Sequence, residues 1–327
     1  MEALPPGWVV VDEVQRLPAI LNEIQYLIAR HGRRYAFAVT GSSARKLRRG
    51  DVNLLPARFV NRAFFPLTAA ELDFTFDIDA WLKFGALPAV CSAARDRDRI
   101  DLLEAYVENY IAQEVRNEAS VKNLESFARF TSVAALMNGQ VTNVAGIARD
   151  AGVPRPTVQS YFETLVDTLL GVWLPAWRPR ARVKEVAHPK FYFFDAGVVR
   201  ALAGRVREPI DSAERGPLFE VAILHELRAW ISLSGCGGEL AYWRTPGGVE
   251  VDFIWRRAGH AVAVEAKATQ RWRSVESAAL ADLAAHKKTK RCFGVYLGDR
   301  ALKDGTIWVL PLKDFLRRLH AGDVLGE

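Results

Sequence analysis

The sequence predicts a multidomain α/β protein, and three observations carry that expectation. Val249–Trp255 and His260–Lys267 read as two strands joined by Arg256, Arg257, Ala258 and Gly259. Gly7–Glu13 and Ala36–Thr40 read as two further apolar strands, with a helix from about Ala19 to His31 between them. The span between these two blocks is dominated by amphipathic helical patterns. At 327 residues, half of them hydrophobic, the chain is long enough for two or three domains with sizeable cores.

In chain order, GWVVVDE comes first. Four apolar residues that run into Asp12 and Glu13 have the form of a Walker B strand. In such a setting the Asp holds Mg²⁺ through water and the Glu polarises the hydrolytic water. Ala36–Thr40 is expected to be a second buried strand, ending in Gly41-Ser42-Ser43, where Ser42 is placed to sense a γ-phosphate. No G-x-x-x-x-G-K-[ST] occurs in the 327 residues, so the phosphate cradle and its Lys are missing. ATP hydrolysis by this chain alone is therefore expected to be weak or absent. Two explanations stand open: a displaced or truncated gene start, or a remnant kept as scaffold.

Ala80–Leu87 and Arg99–Val115 read as helices, the second with Leu102, Leu103, Tyr106, Tyr110 and Ile111 on one face. Asp96-Arg97-Asp98-Arg99 reads as a solvated turn. Leu124–Asn138 is another amphipathic helix. Val144–Ala151, Gly152-Val153-Pro154 and Pro156–Leu170 then form a helix, a turn and a second helix with Pro at its start. Ile147, Ala148, Val158, Tyr161, Phe162 and Leu165 are its expected core. Trp173–Trp177 followed by Arg178–Lys184 reads as a wing, which makes the unit a winged helix-turn-helix. Arg178, Arg180, Arg182 and Lys184 fall at every second position and form a stripe suited to phosphates. Arg155 and Thr157 open the second helix and are candidate DNA contacts. Packing against another protein is the alternative use of such a unit, because a motif fixes a shape and not a partner.

Gly216–Leu233 reads as a helix that places Glu220 on its buried face, with Glu226 pointing elsewhere. In the hairpin that follows, Glu265 and Lys267 share one face and Val262, Val264 and Ala266 the other. Asp252 lies on the neighbouring strand. Two close carboxylates repel unless a hard cation sits between them, and Mg²⁺ is the natural occupant. Asp252 and Glu265 are the candidate metal ligands, Glu220 is a third carboxylate, and Lys267 stabilises developing charge or orients water. A structural ion-pair set is the alternative. Val275–Lys287, Cys292–Leu297 and Thr306–Leu310 continue as helix, strand and strand.

Asp252 followed by Glu265-Ala266-Lys267 resembles the D…ExK core of the restriction-endonuclease-like, or PD-(D/E)XK, superfamily, although Val251 stands where Pro is common. The longer strings VVVDEVQRLP, AVTGSSARKL, LPARFVNRAFFPLTAAEL and KFYFFDAGVVRAL resemble a prokaryotic AAA+ ATPase family whose members carry such a domain at the C-terminus. The resemblance implies a partial AAA+ nucleotide-binding core over 1–75, a helical lid or connector over 76–138, a winged helix over 139–190 and a nuclease-like α/β domain over 191–327. It also implies Arg58 and Arg62 as contacts to nucleotide or a neighbouring subunit. ATP and Mg²⁺ are the implied cofactors, and DNA and a homo-oligomer the implied partners. The expected function is a DNA-associated ATPase-family protein whose nuclease-like domain hydrolyses phosphodiesters. The rivals are an ATPase in which that fold is only a binding module, and a noncatalytic DNA-binding or assembly factor.

Composition sets the remaining bounds. No apolar run approaches 18 residues, so no transmembrane helix is expected. The start, with Glu2 and two prolines, lacks the features of a signal peptide. Three scattered cysteines fit a reducing cytoplasm and no zinc site. A net charge of +6 permits nucleic-acid binding.

Overall fold

The computed structural model describes residues 5–41, 60–111, 115, 121, 123–178, 188–285 and 289–326. Strand β1 (Gly7–Val11) lies parallel to β2 (Tyr35–Val39), and helix α1 (Ile20–His31) makes the crossover that parallel strands require. Leu21, Ile24 and Leu27 form the buried stripe of α1, and Leu21 and Ile24 cluster with Val14. The strand expected to be buried over 36–40 is only half-buried, and on β1 Trp8 is 75% and Val10 67% exposed. The reason is the width of the sheet. A parallel strand is covered when neighbours flank it and helices cover both faces, and the described residues give β1 one partner, β2, and one crossover helix.

The middle region is helical. It contains α2 (Ile78–Phe84), α3 (Pro88–Ser92), α4 (Asp96–Ala105), a π-helical continuation over Tyr106–Ile111, α5 (Leu124–Leu136), α6 (Val144–Ala151) and α7 (Arg155–Asp167). Asp96–Arg99, expected as a solvated turn, is instead the first turn of α4. Acids there suit the positive end of the helix dipole, and the pairs Arg95–Asp98 and Arg99–Asp96 bracket the turn. Leu103 is fully buried, but Leu102 is exposed, so the expected apolar face is narrower; the side chains of Tyr110 and Ile111 lie outside the described ones.

The residues expected to form the core of this helix pair, Ile147, Ala148, Val158, Tyr161, Phe162 and Leu165, are all buried. Asn143 caps α6 by accepting the Gly146 N–H, and Gly152 ends it at φ 63°, in the left-handed region that glycine reaches without a Cβ clash. Strand β3 (Gly171–Leu174) follows and pairs antiparallel with β4 (Lys190–Phe193). The strand thus starts before the expected wing at Trp173. Pro175–Trp177 turns onto the C-terminal sheet, where the Tyr242 N–H donates to the Pro175 carbonyl at 3.0 Å and the Trp177 N–H to the Tyr242 carbonyl at 2.7 Å. Arg178 is exposed just beyond, and Arg180, Arg182 and Lys184 lie outside the described residues.

After α8 (Ala196–Leu202) comes α9 (Ser212–Ser234). Helix α9 begins four residues before the expected Gly216. Asp211 and Glu214 form a reciprocal capping box, which satisfies N–H groups at the start of the helix and fixes its N-terminus there. The C-terminal sheet has six strands in the order β5-β6-β7-β8-β10-β9. These are β5 (Glu239–Arg244), β6 (Glu250–Arg257), β7 (His260–Lys267), β8 (Arg291–Tyr296), β9 (Leu302–Asp304) and β10 (Ile307–Pro311). β5 and β6 run antiparallel, as do β6 and β7, whereas β7, β8 and β10 are parallel. Arg256 and Arg257 belong to β6. The turn proper is Ala258-Gly259, at φ 48° and 79°, the pair of positive angles that a two-residue hairpin of type I′ demands.

Phe253, Trp255, Val262 and Val264 join α9 and α11 (Leu312–His320) in one core. Ile254, Ala261 and Ala263 join Leu280 and Leu283 of α10 (Ala278–Ala285) in a second core on the other face. The first core is continuous from α2 to α11, so the expected boundary at 190 falls at the first residue of a strand that packs into it.

Candidate active site

The site begins where the β6–β7 ladder opens. Regular pairing ends with Phe253 opposite Val264. One step further, Asp252 faces Glu265, and side chains take over the strand's hydrogen bonding. The Ala266 N–H donates to Asp252 Oδ2 at 2.8 Å, and the Asp252 N–H donates to Glu265 Oε2 at 3.3 Å. Lys267 Nζ forms an ion pair with Glu265. Strand parity in the sequence places Glu265 and Lys267 on one face; the strand register brings Asp252 opposite Glu265. Both residues are just 4% exposed.

Burial is the main reason both carboxyls titrate above their ordinary range. The Asp252 charge pushes Glu265 further up, while Lys267 pulls both back. For Lys267, burial works to lower the pKa, but the charges of Asp252, Glu265 and Glu220 outweigh it and hold the amine protonated.

Glu220, expected as the third carboxylate, is engaged elsewhere. It accepts the Tyr192 hydroxyl at 2.6 Å and lies 3.6 Å from Lys190 Nζ. Lys190 is 3% exposed and also pairs with Glu250, which Arg244 contacts at 3.2 Å. Lys190, Glu220, Arg244 and Glu250 line a cavity of about 310 Å³ together with Asn138 and Gln140. Burial, followed by the Asp252 charge, pushes Glu220 up to about 7 against the opposing pull of Lys190 and Tyr192. Among the described residues, no group of three His, Cys, Asp or Glu side chains has the geometry to hold a metal ion. Glu220, the expected third carboxylate, is instead contacted by the Tyr192 hydroxyl and the Lys190 ammonium. The Asp252–Glu265 pair does fit the chemistry of Mg²⁺, which takes one or two carboxylates and keeps waters for its remaining positions.

Glu226 points away from the site, as its helical position predicts. It is fully buried, accepts the Ala69 N–H at 2.6 Å and pairs with His320 Nε2 at 2.8 Å. Its neighbour His225 contacts the Leu67 carbonyl through Nε2 at 3.2 Å. The segment after Arg62 is thereby tied to α9, while Arg62 itself is exposed.

At the N-terminal unit, Asp12 follows the C-terminal end of β1 and accepts the Thr40 hydroxyl at the end of β2. The Glu13 N–H approaches Asp12 Oδ1 at 3.1 Å and Thr40 Oγ1 at 3.3 Å. Ligands of parallel α/β sheets bind beyond the carboxyl ends of the strands, and this is that edge. Ser42 and Arg58 lie outside the described residues. Arg155 is exposed and Thr157 half-buried at the start of α7.

Sequence reasoning missed Thr40, Lys190, Tyr192, Arg244 and Glu250. Glu250 carries a signal, since it lies two residues before Asp252 and shares its face. Lys190 and Tyr192 share a parity in the apolar run KFYFF, where a lone Lys marks a buried ion pair.

Comparisons with known proteins give a consistent division of the chain. Residues 75–208 match a family described as a domain of unknown function (DUF8612), and residues 215–315 match another (DUF4143). Lys190 and Tyr192 fall in the first match; Glu220, Glu250, Asp252, Glu265 and Lys267 fall in the second. The chain is 25% identical over 270 residues to the uncharacterized proteins Rv2008c of Mycobacterium tuberculosis and Mb2031c of Mycobacterium bovis. That alignment takes in 80% of this chain and 59% of each relative, so the chain spans about three fifths of the length of the curated relatives it matches. No described helix is long and apolar enough to cross a membrane. Residues 1–73 match the family described as AAA domain, which supports an AAA-type portion over that part of the chain.

Proposed function

We propose that this chain is a DNA-associated AAA-family protein whose C-terminal sheet carries a nuclease-like, PD-(D/E)XK-type site for phosphodiester hydrolysis. The observation that carries the reading is the buried Asp252–Glu265 pair at the opening of the β6–β7 ladder, with Lys267 two residues beyond Glu265. Asp252 and Glu265 would hold a magnesium ion, which when bound polarises a phosphodiester oxygen and makes its water more acidic. Lys267, held protonated by the carboxylates, offsets charge that develops on the phosphate oxygens. Burial keeps bulk water from the carboxylate pair, which strengthens these charge interactions.

In the same reading, α6, α7 and the β3–β4 pair act as a winged helix. Arg155, Thr157 and Arg178 reach phosphates, and Arg180, Arg182 and Lys184 follow at every second position in the sequence. Asp12 and Glu13 mark the nucleotide edge of the AAA portion. The sequence supplies no G-x-x-x-x-G-K-[ST] for the phosphates, so ATP turnover is not assigned to this chain alone.

One observation favours a second reading. Lys267 already pairs with Glu265, Lys190 with Glu220 and Glu250, and Arg244 with Glu250. A set so paired also serves as a structural brace in a noncatalytic DNA-binding module. Titration of Mg²⁺ and Mn²⁺ into the wild type and the Asp252→Ala/Glu265→Ala double variant, with plasmid and single-stranded DNA incubated in parallel, separates the two. The nuclease reading expects metal binding and cutting in the wild type, and both lost in the variant. Salt-dependent DNA binding unaffected by the double substitution, with no metal uptake, would establish the binding module instead.

A further inference from the structure

Lys190 is an unusual residue to find at this place. It is 3% exposed, and it enters a cluster of acids that belong to another part of the chain. Strand β4 delivers it by register. Phe191 and Phe193 point to the opposite face, where Phe191 meets Phe162 and Trp173 with ring centroids 4.7 and 5.0 Å away. A one-residue slip of β4 would send these aromatics into the acids and Lys190 into the aromatic core, so packing on one face dictates charge placement on the other. The Asn138 side chain fixes the same strand by accepting the Phe193 N–H at 2.8 Å. Tyr192, two residues after Lys190, donates to the same Glu220 oxygen that lies 3.6 Å from Lys190 Nζ.

Each acid that Lys190 touches also has a second partner. Glu250 has Arg244 at 3.2 Å, and Glu220 has the Tyr192 hydroxyl. Lys190 and Arg244 are thus the two cations that pair with these two carboxylates among the described residues, and Lys190 is the one that reaches Glu220. Its charge also acts on Asp252, at the edge of the cation pair.

We infer that Lys190 is a built-in counter-ion, supplied by β4, that holds Glu220 out of the Asp252–Glu265 cation site and so weakens that site for divalent ions. The inference rests on the reading of Asp252 and Glu265 as cation ligands. Lys190 acts through Glu220 and through its charge, and is therefore a positioning residue. It makes the middle region, residues 75–208, a determinant of cation occupancy in a site whose acids all lie beyond residue 215.

The test is Mn²⁺ affinity of the full chain by calorimetry and by the spectroscopic signal of bound Mn²⁺. Lys190→Met removes the charge and nearly keeps the volume. It should tighten Mn²⁺ binding by about tenfold or more, because Glu220 is released and one like charge acting on the site is removed. Lys190→Arg should keep the wild-type affinity, and Lys190→Met/Glu220→Gln should cancel most of the gain, because Glu220 is the group set free. Circular dichroism of each variant reports folding, and the Arg variant retains the pairing should the Met variant unfold. Equal affinity in wild type, Lys190→Met and Lys190→Arg would overturn the inference while leaving the cation site in place. No Mn²⁺ binding in any of the proteins would overturn both.

Discussion

The N-terminal and C-terminal sheets of this protein are built from similar residues and end in different states. VVV of β1 and VAV of β7 are equally apolar, yet Val10 is 67% exposed whereas Val262 and Val264 are 2% and 1% exposed. β7 has neighbours on both edges and a core on each face. β1 has β2 and α1. The difference teaches that an apolar strand specifies a need for cover and not its supply. The same contrast governs the two acidic sites. Asp12 sits at an exposed strand end beside Thr40, whereas Asp252 and Glu265 sit inside a double-layered sheet, where burial shifts their titration.

The sharpest way to test this contrast is to empty each region of a large side chain. Phe253→Ala, at a fully buried position, should cost about 3–5 kcal/mol in chemical denaturation followed by far-UV circular dichroism. Trp8→Ala, at a position 75% exposed, should shift the same transition by no more than about 0.5 kcal/mol. Comparable losses would mean that β1 is covered in solution.

An effect of about 3 kcal/mol is expected from Glu226→Ala, because it strands the Ala69 N–H and the His320 imidazole that Glu226 now satisfies in the core. Proteolysis between residues 60 and 75 should rise with it, since that segment loses its hold on α9. Protection equal to wild type would show that the other contacts of Leu67 and Thr68 suffice.

A smaller effect is a slope in pH. Burial raises Glu220 to about 7 in the folded chain, against about 4.3 for an unfolded glutamate. The fold therefore favours the protonated form. Its contribution is fully present below about pH 4 and is lost as pH rises to about 7, where the slope flattens. Glu220→Gln should remove that part of the slope, so that the variant gains on wild type between pH 5 and 7. An unchanged difference across that window would mean that Lys190 and Tyr192 keep Glu220 ionised throughout.

The sequence by itself determined much of the local structure. The hairpin 250–267 and the shared core of α6 and α7 follow from periodicity, because apolar spacing reports which face must leave water. Parity alone put Glu265 and Lys267 on one face. Motif strings pointed to an AAA-type start, which the match over residues 1–73 supports. What periodicity cannot carry is contact between distant segments. Tertiary structure decided that the β6–β7 ladder opens at Asp252, that β4 delivers Lys190 and Tyr192 to Glu220, and that Glu226 ties residue 69 to residue 320. It also decided how far α9 extends toward its N-terminus, through a cap that sequence spacing allowed but did not single out. The physical reason is common to all of these. Each depends on which charge meets which at distances of a few ångströms across dozens of residues of chain, and a linear pattern records only what a segment must bury, not what it will meet.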